Sequence, residues 1–299
     1  VPELPDITVY VEALAARIVG HALVKVRLAS PFVLRTVTPA PRDLEGAKVA
    51  RVSRMAKRIV IEVEGERFIA IHLMKAGRLL WKDSGAKIPG RLGLAAFDFA
   101  PGTMILTEAG TKRRASIHVL GDRAALQALD PGGLEVLEAD LKSFGQALRR
   151  ENHTLKRSFT DPHVLSGIGN AYSDEIFWEA RVSPVKLTSH LDDAEVKALY
   201  AATRSTLRRW TSQLRGETGD GFPEKVTAFR DAMAVHGRFG KPCPRCGTPV
   251  QRIVYAENET NYCARCQTGG KLLADRALSR LLRGDWPKSI DDLDRERGP

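Results

Sequence analysis

All four cysteines of this 299-residue chain lie in its last fifth, as two Cys-x-x-Cys pairs. Cys243 and Cys246 form one pair, Cys263 and Cys266 the other, with sixteen residues between them. That spacing suits a four-thiolate zinc site on a β-hairpin, each pair gripping the ion from its own knuckle. Val250, Ile253, Val254 and Tyr255 between the pairs read as strand, and Glu257 to Asn261 as a polar turn. Two disulfides are the alternative, an unusual use of paired Cys-x-x-Cys in a chain this large. A closed thiolate site leaves no coordination position for water, so its role is structural. The expected cofactor is therefore one structural Zn2+, with no small-molecule cofactor, and the reaction chemistry has to lie elsewhere.

The partner is suggested by charge. Lys and Arg total 46 against 36 Asp and Glu, a formal net charge of +10. An excess of this size favours a polyanion, most simply nucleic acid. Basic runs stand at Arg51, Arg54, Lys57 and Arg58, and again at Lys112, Arg113 and Arg114. A hydrophobic content of 43% is that of a globular protein. The pattern shows no membrane-length apolar run and no signal segment, so a bacterial cytoplasm with reduced thiols is the expectation; a monomer associated with the nucleoid is expected besides.

The first 130 residues read mainly as β-structure. Arg58 to Val63 alternates, Gly65 turns, and Phe68 to Leu73 continues; Leu94 to Phe99 and Thr103 to Thr107 flank Pro101-Gly102 as a second hairpin. Ile7 to Ile18 has helical spacing instead. Asp130-Pro131-Gly132-Gly133 is the best boundary. Beyond it, Leu137 to Leu148, Ala171 to Ala180 and Asp193 to Leu214 read as helices, the last capped by Asp192 or Asp193. Residues 215–229 read as a mobile loop, and Leu272 to Leu282 as a short amphipathic helix.

Two stretches carry chemistry. Ser166-Gly167-Ile168-Gly169-Asn170-Ala171 separates two helical patterns, and glycines followed by a helix N-terminus suit a phosphate, with Asn170 able to cap that helix. The chain begins Val1-Pro2-Glu3-Leu4-Pro5-Asp6. If Val1 is removed, Pro2 carries a secondary amine that titrates near pH 8, and its neutral form attacks an electrophilic sugar carbon. Glu3 beside it is placed to move protons.

These residues resemble the formamidopyrimidine-DNA glycosylase / endonuclease VIII family along nearly the whole chain. The resemblance rests on Pro2-Glu3-Leu4-Pro5, on Lys57 in Met55-Ala56-Lys57-Arg58, and on His72-Leu73 before a loop. It continues in Gly167-Ile168-Gly169-Asn170-Ala171-Tyr172, the helix–two-turn–helix signature, and in Gly237-Arg238 before the four cysteines. It implies an α+β, two-domain fold: an N-terminal β-sandwich with flanking helices, then a helical domain with a helix–two-turn–helix motif and a zinc-finger β-hairpin. The implied division is a catalytic domain over 1–130, a hinge and first helix over 131–148, and a helical domain over 149–236. A zinc finger over 237–268 and a helical extension over 269–299 complete it.

The resemblance further implies a base-excision repair enzyme that flips a damaged base out of duplex DNA. Pro2 would be the nucleophile, Glu3 the general acid/base, and Lys57 a contact to phosphates near the lesion. Asn170 with the Gly167 and Gly169 backbone would hold the phosphodiester, and Lys156 matches a further basic position. His72, Met74, Lys75, Arg113 and Arg114 fall in the lesion-side loops. There Lys75 takes the place of a gap-filling methionine, and Arg114 is read in place of an aromatic wedge. Asn258 stands for the usual zinc-finger arginine, with Arg252 one strand away to compensate, and Asp6 shortens a usual glutamate. Pro-Glu-Leu-Pro favours the oxidised-purine branch; an oxidised-pyrimidine glycosylase is the nearest alternative, and a non-catalytic lesion-binding protein the next. A zinc-dependent transcription factor leaves the β-rich half unexplained.

Overall fold

The computed structural model describes residues 2–110, 112–224, 226–227, 229–255, 258–274 and 287–292. The chain divides into two compact units: residues 1–131 with 209–227, and residues 132–208 with 228–299.

The first unit opens with α1 (Leu4–Ile18), followed by β1 (Leu23–Leu28), β2 (Val49–Met55), β3 (Arg58–Val63) and β4 (Arg67–His72). β5 (Gly77–Lys82), β6 (Gly93–Phe99), β7 (Gly102–Glu108), β8 (Ser116–Leu120) and the short α2 (Arg123–Gln127) complete it. The strands form two four-stranded antiparallel sheets, ordered β1-β6-β7-β5 and β2-β3-β4-β8. Alternation sends Ile59, Ile61, Ile69, Ile71, Ile117 and Val119 from one sheet, and Phe97, Phe99, Met104 and Leu106 from the other, into a single core. Ile7, Tyr10, Leu14 and Ile18 of α1, at helical spacing, join the same core. On the opposite face of the second sheet, Val60, Phe68, Ala70 and Leu120 meet Ala125, Leu126 and Leu129 of the α2 region.

The second unit holds α3 (Leu141–Arg149), α4 (Leu155–Thr160), α5 (Asn170–Ala180) and most of α6 (Asp193–Thr218). Its zinc-finger hairpin is β9 (Gln251–Tyr255) and β10 (Asn258–Tyr262), followed by α7 (Ala264–Thr268). α3 begins four residues later than Leu137, because Asp140 Oδ1 accepts the Ser143 N–H at 2.7 Å and sets the N-terminus. Asp192 and Glu195 exchange backbone-to-carboxylate bonds of 2.7 and 3.2 Å, a capping box that starts α6 at Asp193.

Two expectations change, and a third falls mostly outside the described residues. Residues 215–218 continue α6, and the segment after it is docked: Arg215 pairs with Glu12, Arg17 donates to the carbonyls of Asp220 and Gly221, and Phe222 packs between Tyr10 and Trp81. The polar stretch at 258–261 is strand, not turn, with Tyr255 opposite Asn258. The predicted helix over Leu272–Leu282 lies mostly outside the described residues. Among the described residues around it, Lys271 bridges Ser289, and Leu272 and Ile290 are buried against Ile253, Tyr262 and Ala264 of the zinc-finger region. No described helix is long and apolar enough to cross a membrane.

Candidate functional site

Pro2 is buried, and Glu3, at the N-cap of α1, is only 1% exposed. Pro5 sits in the first turn of α1, where the missing N–H is no loss. Asp6 Oδ2 accepts the Glu3 N–H at 3.0 Å. The shorter carboxylate at position 6 thereby fixes the backbone that presents Glu3. Val1 lies outside the described residues.

Lys57 occupies the two-residue turn between β2 and β3, half-buried, directly after Ala56 at φ +51°. Left-handed backbone at a residue with a Cβ costs about 1–2 kcal/mol, and here it adjoins a candidate site lysine. The loop after β4 repeats the device: Met74 sits at φ +53°, with Lys75 exposed beside it. Gly77 closes that loop; a Cβ there would lie 2.2 Å from the Leu73 carbonyl oxygen, which accepts the Gly77 N–H at 2.8 Å. At the end of β4, burial, then the charges of Arg58, Lys57 and His118, push the His72 imidazole down to a pKa of about 4. Arg113 and Arg114 are exposed. Their loop is held from beneath by buried Glu108, whose carboxylate accepts the Arg114 and Ala115 N–H groups at 2.9 and 3.0 Å. Arg113 also donates to the Arg91 carbonyl.

In the second unit, Gly167 takes φ +80° in the turn between α4 and α5, and Gly169 is the N-cap of α5. Asn170 is the first helical residue and not the cap. Its Nδ2 donates to the Glu259 carbonyl of β10 at 2.9 Å, tying the turn to the zinc hairpin. Lys156 corrects the sequence expectation more strongly. It is 4% exposed, and its ammonium donates to Asp174 Oδ1 (2.5 Å), Ser173 Oγ (2.9 Å) and the Asn170 carbonyl (2.8 Å). A buried ammonium whose three donors are taken is a core ion, not a surface phosphate contact. Asp174 also receives His236 Nδ1 at 2.8 Å and the Asn261 N–H at 3.1 Å. Glu175 next to it accepts the N–H groups of Ala234, Val235 and His236 at 2.8, 2.9 and 3.0 Å. Burial raises its pKa, against those three bonds. Asn258 is exposed at the start of β10, while the Arg252 guanidinium lies 4.4 Å from the Phe239 ring centroid and 3.6 Å from Glu259.

The four cysteine Sγ atoms lie within 4.8 Å of one another, with Cys243 to Cys266 at 4.0 Å and Cys246 to Cys263 at 3.4 Å. Zn–S bonds of about 2.3 Å at tetrahedral angles require S···S distances of about 3.8 Å. A disulfide requires about 2.0 Å, so these are metal thiolates and not a bridge framework. Trp178 Nε1 donates to Cys243 Sγ at 3.3 Å, an outer-shell bond from α5 to the ligand set.

Comparison with known proteins places each part. Residues 1–117 match the formamidopyrimidine-DNA glycosylase N-terminal domain, residues 132–218 the H2TH domain of the same enzymes, and residues 240–269 the zinc finger found in FPG and IleRS. A formamidopyrimidine-DNA glycosylase of Chloroflexus aurantiacus is 30% identical over 277 residues, covering 89% of this chain and 97% of that protein. The chain belongs to the formamidopyrimidine-DNA glycosylase family.

It is thus, by family, a DNA glycosylase of base excision repair, and the zinc finger with its clustered cysteines holds one structural Zn2+. A shorter Mycobacterium tuberculosis protein, described as formamidopyrimidine-DNA glycosylase-like, is 40% identical over 157 residues, covering 52% of this chain and 96% of that one. The fold is that of the Lactococcus lactis family member solved with abasic-site DNA: TM-score 0.79 at 23% identity, covering 89% of this chain and 99% of that one. Sequence reasoning missed Glu108, Asp174, Glu175 and His236, which hold loops in place from within. An acidic pair inside a helical pattern was the available signal for Asp174 and Glu175; Glu108 and His236 gave none.

Proposed function

We propose that the chain removes oxidised purines, 8-oxoguanine and formamidopyrimidines among them, from damaged double-stranded DNA and then cuts the strand by β,δ-elimination. The buried Pro2–Glu3 start, pinned through Asp6, carries this reading. In it, the Pro2 nitrogen attacks C1′ of the flipped nucleotide, the C1′–base bond breaks, and the base leaves with a proton. The Pro2 nitrogen loses its proton, the C1′–O4′ bond opens with O4′ taking a proton, and the resulting iminium makes a C2′ proton acidic; its removal expels the 3′-phosphate, and a second elimination expels the 5′-phosphate. Glu3 relays the protons. Burial of Glu3 suits a group that works beside a reacting centre shielded from water.

The remaining roles are those of binding. Lys57 and His72 contact phosphates near the lesion, and Asn170 with the Gly167–Gly169 turn holds the phosphodiester. Met74, Lys75, Arg113 and Arg114 stand by the gap left by the base, and Asn258 and Arg252 take the zinc-finger phosphate position. Residues 1–130 act as the catalytic domain and the rest as the DNA-gripping part, in a monomer that needs no small-molecule cofactor. Leu4, rather than glycine, favours the purine branch.

The test is borohydride trapping on duplexes carrying 8-oxoguanine, a formamidopyrimidine, 5-hydroxyuracil or an abasic site, together with intact-mass measurement. Trapped adduct on the purine lesions, with Val1 absent from the active protein, is the expected result. Adduct on 5-hydroxyuracil alone would move the chain to pyrimidine lesions. No adduct on any duplex, with Pro2 confirmed as the terminus, would leave a lesion-binding protein. Active protein that retains Val1 would remove Pro2 as the nucleophile.

A further inference from the structure

The outer face of the β2-β3-β4-β8 sheet is divided. One end is apolar and covered by the α2 region, as described. Strand alternation brings Arg58, His72 and His118 to the other end of that same face: Arg58 lies opposite His72, and His118 stands on β8 in register with Ala70. The segment alongside β8 adds Arg35. Leu34 bridges Ile117 and packs on the core, and the Arg35 N–H donates to the Ile117 carbonyl, so Arg35 falls on the outer side. The charges of Arg58 and Arg35 both act on His118, as those of Arg58 and Lys57 act on His72. A basic row thus crosses the sheet from the Lys57 turn to Arg35.

Among the described residues, Arg35, Arg58, His72 and His118 make no ion pair, and Asp130 is the acidic group whose charge reaches Arg58. Arg58 Nε and His118 Nδ1 are buried nitrogens with no hydrogen-bond partner. A buried guanidinium N–H is normally satisfied, and Arg58 Nε beside the His118 ring and exposed Arg35 suits an acceptor oxygen of an anion. From β3 to β8 the row spans two inter-strand spacings, about 10 Å, wider than one phosphate group.

The geometry points to a second phosphate subsite: Arg58 and His118, flanked by Arg35, take a DNA backbone phosphate next to the one held by Lys57 and His72. This rests on the reading that the Lys57 edge of the sheet receives DNA. Phosphate contacts of this kind fix register along the strand and carry no base preference.

The experiment is fluorescence-anisotropy titration of an undamaged labelled duplex at several salt concentrations, with the full-length zinc-loaded protein. Arg58→Gln/His118→Gln should lower the slope of log K against log [salt] by about 1 and weaken binding on every sequence alike. Lys57→Gln is the control. A flattened slope in the control with a wild-type slope in the double variant would overturn the subsite while leaving the DNA-facing edge intact. Wild-type slopes in both would remove the edge and the subsite together. Should the double variant fail to fold, the ring-nitrogen resonances of His118 in the unaltered protein give a second readout. Their displacement by duplex supports the subsite; displacement by millimolar inorganic phosphate and not by duplex overturns the backbone assignment.

Discussion

His72 is a basic residue held neutral by its surroundings. An ordinary histidine titrates near pH 6.5, whereas burial and the neighbouring Arg58, Lys57 and His118 bring this one to about 4. His118 is lowered in the same direction by burial, Arg58 and Arg35. Between those values the unfolded chain binds protons that the folded chain does not. Stability therefore rises with pH through this window and is fully present above about 6.5. His72→Gln removes one such group, so its melting temperature should fall less than that of the wild type between pH 6.5 and 4 and stay close to it at pH 8. Parallel melting curves across pH 4–8 would mean that His72 titrates normally. The neutral imidazole still has an N–H for a phosphate oxygen, and a bound anion favours its protonation. DNA binding through this edge is thus expected to take up protons at mildly acidic pH.

At the scale of elements, Lys156, Asp174 and His236 join α4, α5 and the strand-free segment before the zinc finger through one buried network. Removing one member of a buried ion pair strands its partner, at a cost of about 3–5 kcal/mol. Lys156→Met is expected to lose stability on that scale in urea unfolding, reduced in part where His236 compensates Asp174. Lys156→Met/Asp174→Asn, which removes the stranded charge while leaving a side-chain oxygen for the Asn261 N–H, should recover part of the loss. A Lys156→Met protein with wild-type stability and a flatter salt dependence of DNA binding would return Lys156 to the phosphate contacts. The basic residue at 156 was legible in the sequence, and its burial was not. Nothing local distinguishes a lysine facing water from one facing Asp174, eighteen residues on and across a turn. The strands read at Arg58–Val63 and Phe68–Leu73, observed as Arg58–Val63 and Arg67–His72, were legible because alternation and Gly65 are local signals. The extra strand residues at 258–261 were not, because polar Asn258, Glu259, Thr260 and Asn261 carry no apolar alternation. They are strand because they pair with β9, and because Asp174 receives the Asn261 N–H.

At the scale of the whole molecule, the four cysteines constrain far more than their own loop. β10 carries the Glu259 carbonyl that receives Asn170 and the Asn261 amide that meets Asp174, and Cys243 receives the Trp178 indole. The zinc hairpin is thereby tied through the Asn170–Glu259 bond to the glycine turn that candidate phosphate binding depends on, and its ligand set through Trp178 to the same helix α5. The hairpin's core is two small clusters, Ile253, Tyr262, Ala264, Leu272 and Ile290 in one and Val250 with Val235, Cys243 and Cys263 in the other, so metal binding is also folding energy for it. Cys243→Ser, or chelation, should release one zinc per chain by atomic absorption and weaken DNA binding. The first unit has a separate core built from the two sheets and α1, and it should keep its amide-exchange protection while the hairpin and the α5 N-terminus lose theirs. Unchanged binding by metal-free protein would separate the zinc from the DNA-gripping role. Protection lost evenly over both units would instead show that they unfold as one, with the metal stabilising the entire chain.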